Sequence, residues 1–416
     1  MKKYLIATLL VLSLAIHLAL ARPVAADDAK TLNVLVMSDT AYSDKDVSSM
    51  TASFNTEHPD INVKVDFVPY AGLRDRILLS QGSDGAYDVV LIDVIWLAEF
   101  VKRDLIIDVT DRVDSSLRSQ VFDGAWKTAD LNGRLYGFPW LVDAKFLYYN
   151  KKMLSDAGFS APPKTWDEMN NQAQVLKDKG IVKFPIVWNW GQNEEIVCDF
   201  AYLLAARGGQ FFASDGKPAF QSEGAKVLDY MRSQIHSGIA NPSSREYNAE
   251  DGRRAFLSGE AAFSFNWQYV YALSKNPAES KVVGQVGVAP VPAGPGAPEG
   301  TSVNGSMALS ITKTSKHPEE AWTYVTFMTS KDLQDKYAKA VLPVWTASYS
   351  DPAVVAGQEE LAAAAAPNFK NMVLRPVIAN YVQMSSALQE GIQAVLYDKA
   401  EPDAVLADIA SSVGNQ

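Results

Sequence analysis

The chain has 416 residues, 48% hydrophobic and 21% charged, with a formal net charge of −10 at pH 7. This is globular rather than disordered composition, and the length exceeds what one ordinary core fills, so two domains are expected. The acidic balance argues against nucleic acid or an anionic membrane as partner.

Residues 1–26 have the layout of a cleavable secretory signal. Lys2 and Lys3 precede an almost wholly apolar stretch over residues 4–21, and small-residue exits end at Ala21 and Ala26. An uncleaved anchor is the alternative, since the stretch is about long enough to span a bilayer, which takes roughly 20 apolar residues. Removal takes Lys2, Lys3 and Arg22 and leaves 35 Lys and Arg against 48 Asp and Glu, a formal charge of −13. Cys198 is the sole cysteine, so no disulfide forms within the chain, and the signal region has none to carry a lipid. A free periplasmic protein of a Gram-negative cell is expected.

Leu32, Val34 and Val36 alternate as in a strand. Ser43 caps a helix carrying Val47, Met50 and Phe54, which His58-Pro59 ends. Ile61, Val63, Val65 and Phe67 alternate again, giving a β-α-β unit with a parallel pair. A helix from about Leu73 leads through Gly82 and Gly85 to residues 88–92, an apolar run suited to a strand buried on both faces. A strand follows at 147–150. Thr165 to Glu168 reads as a capping box opening a helix that ends at Gly180. Further helices are expected at 194–206, closed by Gly208-Gly209, from Ser222, from Pro318 as first residue, and over 400–412. The Pro- and Gly-rich stretch 289–300 is either a surface connection or a stiff connector between domains.

Several stretches resemble the extracellular solute-binding proteins of carbohydrate ABC transporters, family 1, which include maltose- and trehalose-binding proteins. They are Tyr87-Asp88-Val89-Val90-Leu91-Ile92-Asp93-Val94-Ile95-Trp96, Gly133-Arg134-Leu135-Tyr136-Gly137-Phe138-Pro139, and Leu147-Tyr148-Tyr149-Asn150-Lys151. Pro162-Pro163-Lys164-Thr165-Trp166-Asp167-Glu168, Phe256-Leu257-Ser258-Gly259-Glu260, Trp267, Asn304-Gly305, Arg375-Pro376 and Tyr381 follow in order. The resemblance implies an α/β, two-lobed, periplasmic-binding-protein-like fold with a hinge. One lobe comprises 27–142 plus 303–340, the other 143–302 plus 341–416. The chain crosses near 141–145, 300–305 and 329–345. It also implies a carbohydrate ligand, of di- or oligosaccharide size, delivered to ABC permease subunits by a monomer. No metal or cofactor is expected.

A sugar offers hydroxyls at its edge and C–H patches on its faces, so carboxylates, amides, Arg and flat aromatic rings recognise it. Asp93 follows a buried strand, where a charge is costly unless paired or at an opening. The resemblance implies sugar contacts for Asp93, Asp143, Trp267 and Arg375. Trp188 and Trp190 flank Asn189 at a strand end, with ligand contact and core packing equally open. Trp96 and Asp39, at the end of the first strand, stand at similar odds. Glu194 and Glu195 open a helix, where the dipole alone rationalises them. Tyr381 is a weaker stacking candidate, Gly305 allows close backbone approach, and Arg74 stands on the rim. Trp126, Trp166 and Trp322 lie in helical patterns and are assigned to structure. A glycosidase would use similar groups, and polyamine binders share the architecture. No zinc-like spacing or nucleophile elbow is present.

Overall fold

The computed structural model describes residues 30–38, 41–82 and 86–414. The leader assigned to 1–26 and the candidate Asp39 lie outside the described residues. The first strand, β1 (Lys30–Met37), pairs in parallel with β2 (Ile61–Val68) across α1 (Asp44–Glu57). Ser43 Oγ accepts the Asp46 N–H at 3.1 Å, and the Asp46 carboxylate accepts the Ser43 N–H at 3.2 Å, a reciprocal cap. Helix α1 buries Val47, Met50 and Phe54. Next come α2 (Tyr70–Ser80), β3 (Val89–Asp93) and α3 (Leu97–Lys102). All five residues of β3 are buried, as expected of a strand covered on both faces.

The chain then runs through β4 (Phe138–Leu141) into β5 (Phe146–Asn150), leaving the first sheet for the second. The second lobe contains α4 (Trp166–Asp178), β6 (Ile186–Val187), α5 (Glu194–Ala206), α6 (Gln221–His236), β7 (Phe263–Asn266), α7 (Tyr269–Ser274) and β8 (Val286–Ala289). Strand β9 (Met307–Ile311) returns to the first sheet, followed by α8 (Pro318–Met328), α9 (Glu359–Asn371), α10 (Tyr381–Leu396) and α11 (Pro402–Gly414). The first sheet has the order β2-β1-β3-β9-β4, with β9 antiparallel to both neighbours. The second has the order β8-β5-β7-β6. The buried apolar residues form two clusters, one spanning the first sheet and one face of the second, the other holding the opposite face of the second sheet and its helices.

Two local expectations are modified. At the start of α4, Thr165 Oγ1 accepts the Glu168 N–H at 3.1 Å, but the Glu168 carboxylate reaches back to the N–H of Lys164, one residue too early for a capping box. The Pro- and Gly-rich stretch is stitched into the second lobe. Ala293 N–H donates to Lys164 O at 2.7 Å, and Gly296 N–H donates to Ala206 O at 2.9 Å, satisfying an end carbonyl of α5. Gly294 and Gly296 have no room for a Cβ against residues 206–208, which explains why glycine stands at both.

Between the sheets, chain passages lie side by side. Ala144 pairs with Asn304, and Val303 pairs with Val373. Gly305 N–H donates to Asp143 O at 3.0 Å, and Asn304 N–H to Val373 O at 2.8 Å. Residues 329–345 also touch both sides. Gln334 Nε2 donates to Trp140 O at 3.0 Å, and Leu342 N–H donates to Gln268 Oε1 at 2.9 Å.

Candidate functional site

Asp93 ends β3 and caps the short turn that follows, accepting the Ile95 N–H at 3.3 Å. Its carboxylate also accepts from Tyr70 Oη at 2.8 Å and from Arg375 Nη2 at 3.2 Å. The other half of the Arg375 guanidinium donates to Glu194 Oε1 at 2.7 Å, in the first turn of α5. Glu194 in turn accepts from the Tyr381 hydroxyl and from Ser385 Oγ at 2.5 Å, both on α10. One buried guanidinium thus joins a carboxylate of the first sheet to a carboxylate of the second lobe. Arg375 is 2% exposed, yet its Nε has no hydrogen-bond partner.

Aromatic rings flank this cluster on the first-lobe side. Tyr70 stacks on Trp96 with ring centroids 5.5 Å apart and an interplanar angle of 21°. Burial is the main cause that pushes the Tyr70 and Tyr381 hydroxyls well above the ordinary phenol range, reinforced by Asp93 and Glu194 respectively. Both therefore remain hydrogen-bond donors at any physiological pH.

A second group lies at the chain crossing. Trp267 is packed against Gly305, where an added Cβ would fall 2.3 Å from the indole. The indole N–H donates to Glu195 Oε1 at 2.9 Å. Lys145, fully buried on the crossing strand, reaches Glu195 Oε2 at 2.8 Å, also pairs with Asp199, and lies 5.4 Å from the Trp267 ring centroid. Burial pulls the Lys145 pKa down, but Asp199 and Glu195 outweigh it and hold the group charged. Asp143 accepts the Ala144 N–H at 2.8 Å and the Gln268 N–H at 3.3 Å, tying the crossing strand to the start of α7. Burial pushes its carboxyl up to about 8, with the two backbone donors opposing. Arg375 Nη2 also contacts Asn304 O at 3.3 Å, beside Gly305, so the two groups form one continuous cluster.

The sequence candidates sort accordingly. Asp93, Trp96, Arg375 and Tyr381 belong to the first group; Asp143, Trp267 and Gly305 belong to the second. Arg74 stands at the rim, making a bidentate contact to Glu99 at 2.9 and 2.7 Å. Trp188 is placed in the second core, stacked on Phe265 at 4.7 Å and on Trp190 at 4.6 Å, with no face left for a ligand. Trp190 is equally buried and donates its indole N–H to Asp199 at 3.0 Å, so it braces the Lys145 network from behind. Glu194 does more than complement the dipole of α5. Tyr70, Lys145, Asp199 and Ser385 were not singled out from sequence. A lysine between Ala144 and Phe146 and an aspartate within the apolar run of α5 were visible signals, since an ionised side chain there needs a partner.

Among the described residues no group of three or more His, Cys, Asp or Glu stands where a metal ion could be held, and no helix is long and apolar enough to cross a membrane. The chain resembles a binding protein of Brucella abortus, 26% identical over 393 residues and covering 92% of both chains. It resembles the diacetylchitobiose-binding protein DasA of Streptomyces coelicolor, 25% identical over 82% of this chain and 81% of the relative. Among solved structures, maltose-bound MalE3 of T. maritima superposes with a TM-score of 0.85 at 29% identity, covering 92% of this chain and 99% of that one. A Thermotoga lettingae ABC transporter solute-binding protein with bound α-D-tagatose has the same fold, with a TM-score of 0.83 at 24% identity over 93% and 99% of the two chains. Residues 36–335 match the model of the bacterial extracellular solute-binding proteins, and with two sheets bridged by crossing strands over a buried polar cluster, the chain belongs to that family.

Proposed function

We propose that this chain is the periplasmic substrate-binding component of an ABC sugar importer. It takes a di- or oligosaccharide between its lobes and presents it, as a monomer, to the membrane permease. The observation that carries this reading is the Asp93–Arg375–Glu194 bridge, which joins the lobes through charged groups, with Tyr70, Trp96 and Trp267 beside it. Sugar hydroxyls suit carboxylates and a guanidinium, each hydrogen bond to a charged group contributing about 1.5–3 kcal/mol. The unpartnered Arg375 Nε is a buried donor awaiting an acceptor. Similarity to the maltose-bound and tagatose-bound proteins and to the diacetylchitobiose-binding protein supports the ligand class.

In this reading Asp93, Trp96, Asp143, Trp267, Gly305, Arg375 and Tyr381 serve the ligand directly, while Trp188 and Trp190 support the wall behind them. The lobes divide as 27–142 with 303–340 and 143–302 with 341–416, and 1–26 is removed on export without a lipid anchor. Ligand shifts the population towards the arrangement in which both lobes contact it, by as much as its preference for that arrangement allows. No chemistry is performed on the sugar. The Arg375 guanidinium is hydrogen-bonded to both Asp93 and Glu194, so neither carboxylate is free for the acid and base roles of a glycosidase. The same cation opposes a polyamine.

The test is a thermal-shift screen over mono-, di- and oligosaccharides, with polyamines and inorganic anions as controls. A sugar should raise the melting temperature, and Trp267→Ala should weaken that sugar's binding more than about tenfold, as expected from losing about 1.5–3 kcal/mol of apolar burial. Stabilisation by polyamines or anions alone overturns the reading.

A further inference from the structure

Beside the polar cluster, between the lobes, lies a hollow of about 450 Å³. That is within the range of ligand pockets, about 300–1,000 Å³. Its first-lobe wall is the last turn of α3 and the residue beyond, with Glu99, Lys102 and Arg103. Its second-lobe wall includes Phe212, Ile378 and Gln383. Both walls continue into the cluster. Glu99 lies one turn beyond Trp96, which stacks on Tyr70, itself bonded to Asp93. Asn380, also lining the hollow, immediately precedes Tyr381, which donates to Glu194.

The first wall is rigidly built. Glu99 is 9% exposed and receives Arg74 Nε at 2.9 Å, Arg74 Nη2 at 2.7 Å and Arg103 Nη1 at 3.0 Å. A carboxylate accepts about four hydrogen bonds, so one lone pair on Oε2 stays open to a further donor. Opposite, Phe212 and Ile378 are half-buried and packed on the lobe's core, so their outer faces are held in place. Gln383, exposed in the first turn of α10, supplies an amide with both a donor and an acceptor. An aromatic and an aliphatic face set against a fixed carboxylate, two cations and an amide match the two-sided chemistry of a pyranose: C–H patch against ring, hydroxyls against polar groups.

We propose that this hollow is an outer saccharide subsite, so that the ligand is an oligosaccharide whose terminal unit lies between α3 and Phe212. The proposal rests on the carbohydrate reading above. The test is calorimetric titration of the wild type, Phe212→Ala and Gln383→Ala with two series, maltose to maltotetraose and diacetylchitobiose to its tetramer. In one series the dissociation constant should fall about tenfold on adding a unit, and in Phe212→Ala that step should shrink to about twofold or less. Gln383→Ala alters only a solvent-facing side chain and should reduce the same step, which keeps the test valid if Phe212→Ala folds poorly. A wild type that binds the disaccharide as tightly as every longer sugar overturns the subsite and leaves the sugar reading standing. So does a length step that survives in both variants. A wild type that binds no member of either series overturns the subsite together with its premise.

Discussion

Replacing Arg375 by Met removes the charge between Asp93 and Glu194 while keeping much of the side-chain length. In the native arrangement the guanidinium nitrogens lie 3.2 Å from one carboxylate and 2.7 Å from the other. The two carboxylates are therefore on the order of 6 Å apart, and at an effective dielectric of about 20 they would repel by about 3 kcal/mol once the cation is gone. Breaking a buried pair generally costs about 3–5 kcal/mol, so the two figures agree in scale. Tyr70, Tyr381 and Ser385 remain as donors and limit the damage. A two-lobed molecule has an outlet that a single core lacks: it can separate the lobes and rehydrate both carboxylates. A shift of about 3 kcal/mol changes such a population ratio by about a hundredfold. The expected result for Arg375→Met is a larger radius of gyration by small-angle scattering, a lower urea midpoint, or both. Adding Asp93→Asn should recover part of the loss, because the repulsion needs both charges. Superimposable scattering together with an unfolding free energy changed by less than about 1 kcal/mol would refute the reasoning.

Gly305→Ala places a methyl where the Trp267 indole lies, 2.3 Å from its nearest ring carbon. The ring must move off Glu195, so sugar affinity should drop more than about tenfold and the tryptophan emission should shift; unchanged affinity would dissociate this ring from the site. Trp188→Ala should cost about 3–5 kcal/mol in chemical unfolding through the cavity it leaves. Trp188→Phe should cost less than about 1.5 kcal/mol, because it keeps most of the stack and removes an indole N–H that has no partner. Asp143 has a folded pKa of about 8 against an ordinary 3.8, so the native chain keeps a proton that the unfolded chain releases. Its contribution to stability is fully present below about pH 4 and is lost as pH rises towards 8, by up to about 1.4 kcal/mol per unit. Asp143→Asn, which preserves an acceptor for Ala144 and Gln268, should flatten the decline in urea midpoint between pH 5 and 8; an unaltered slope would place the titration elsewhere.

Local signals in the sequence carried much of the architecture. The alternation at 32–36 and 61–67, the Ser43 cap and the His58-Pro59 stop define the first β-α-β unit because each is a short-range constraint on backbone geometry. The charge at Asp93 was conspicuous because it ends a wholly apolar strand. Its pairing with Arg375, and through Arg375 its link to Glu194, was not, since tertiary packing brings these residues together across long sequence separations. The Trp188 and Trp190 pair shows the limit of periodicity: alternation puts two rings on one side of an extended segment without saying whether that side faces solvent or core. Here Phe265 and Trp166 fill the space in front of Trp188. The Lys145 network shows the opposite case, where an ionised residue among apolar neighbours announces a buried partner without naming it.

In the first sheet β3 is flanked by β1 on one edge and by β9 on the other, and Met307 faces Asp93 across more than 200 intervening residues. While the chain emerges amino end first, the central strand of that sheet keeps one row of amides and carbonyls bare until the segment beyond residue 300 arrives. Closing so wide a loop is slow. A nascent or truncated chain ending before residue 307 therefore exposes an apolar strand edge, the template for self-association between incomplete copies. Neither lobe can be expressed by cutting the chain once, and a stop codon before residue 307 should yield aggregate rather than a smaller binder.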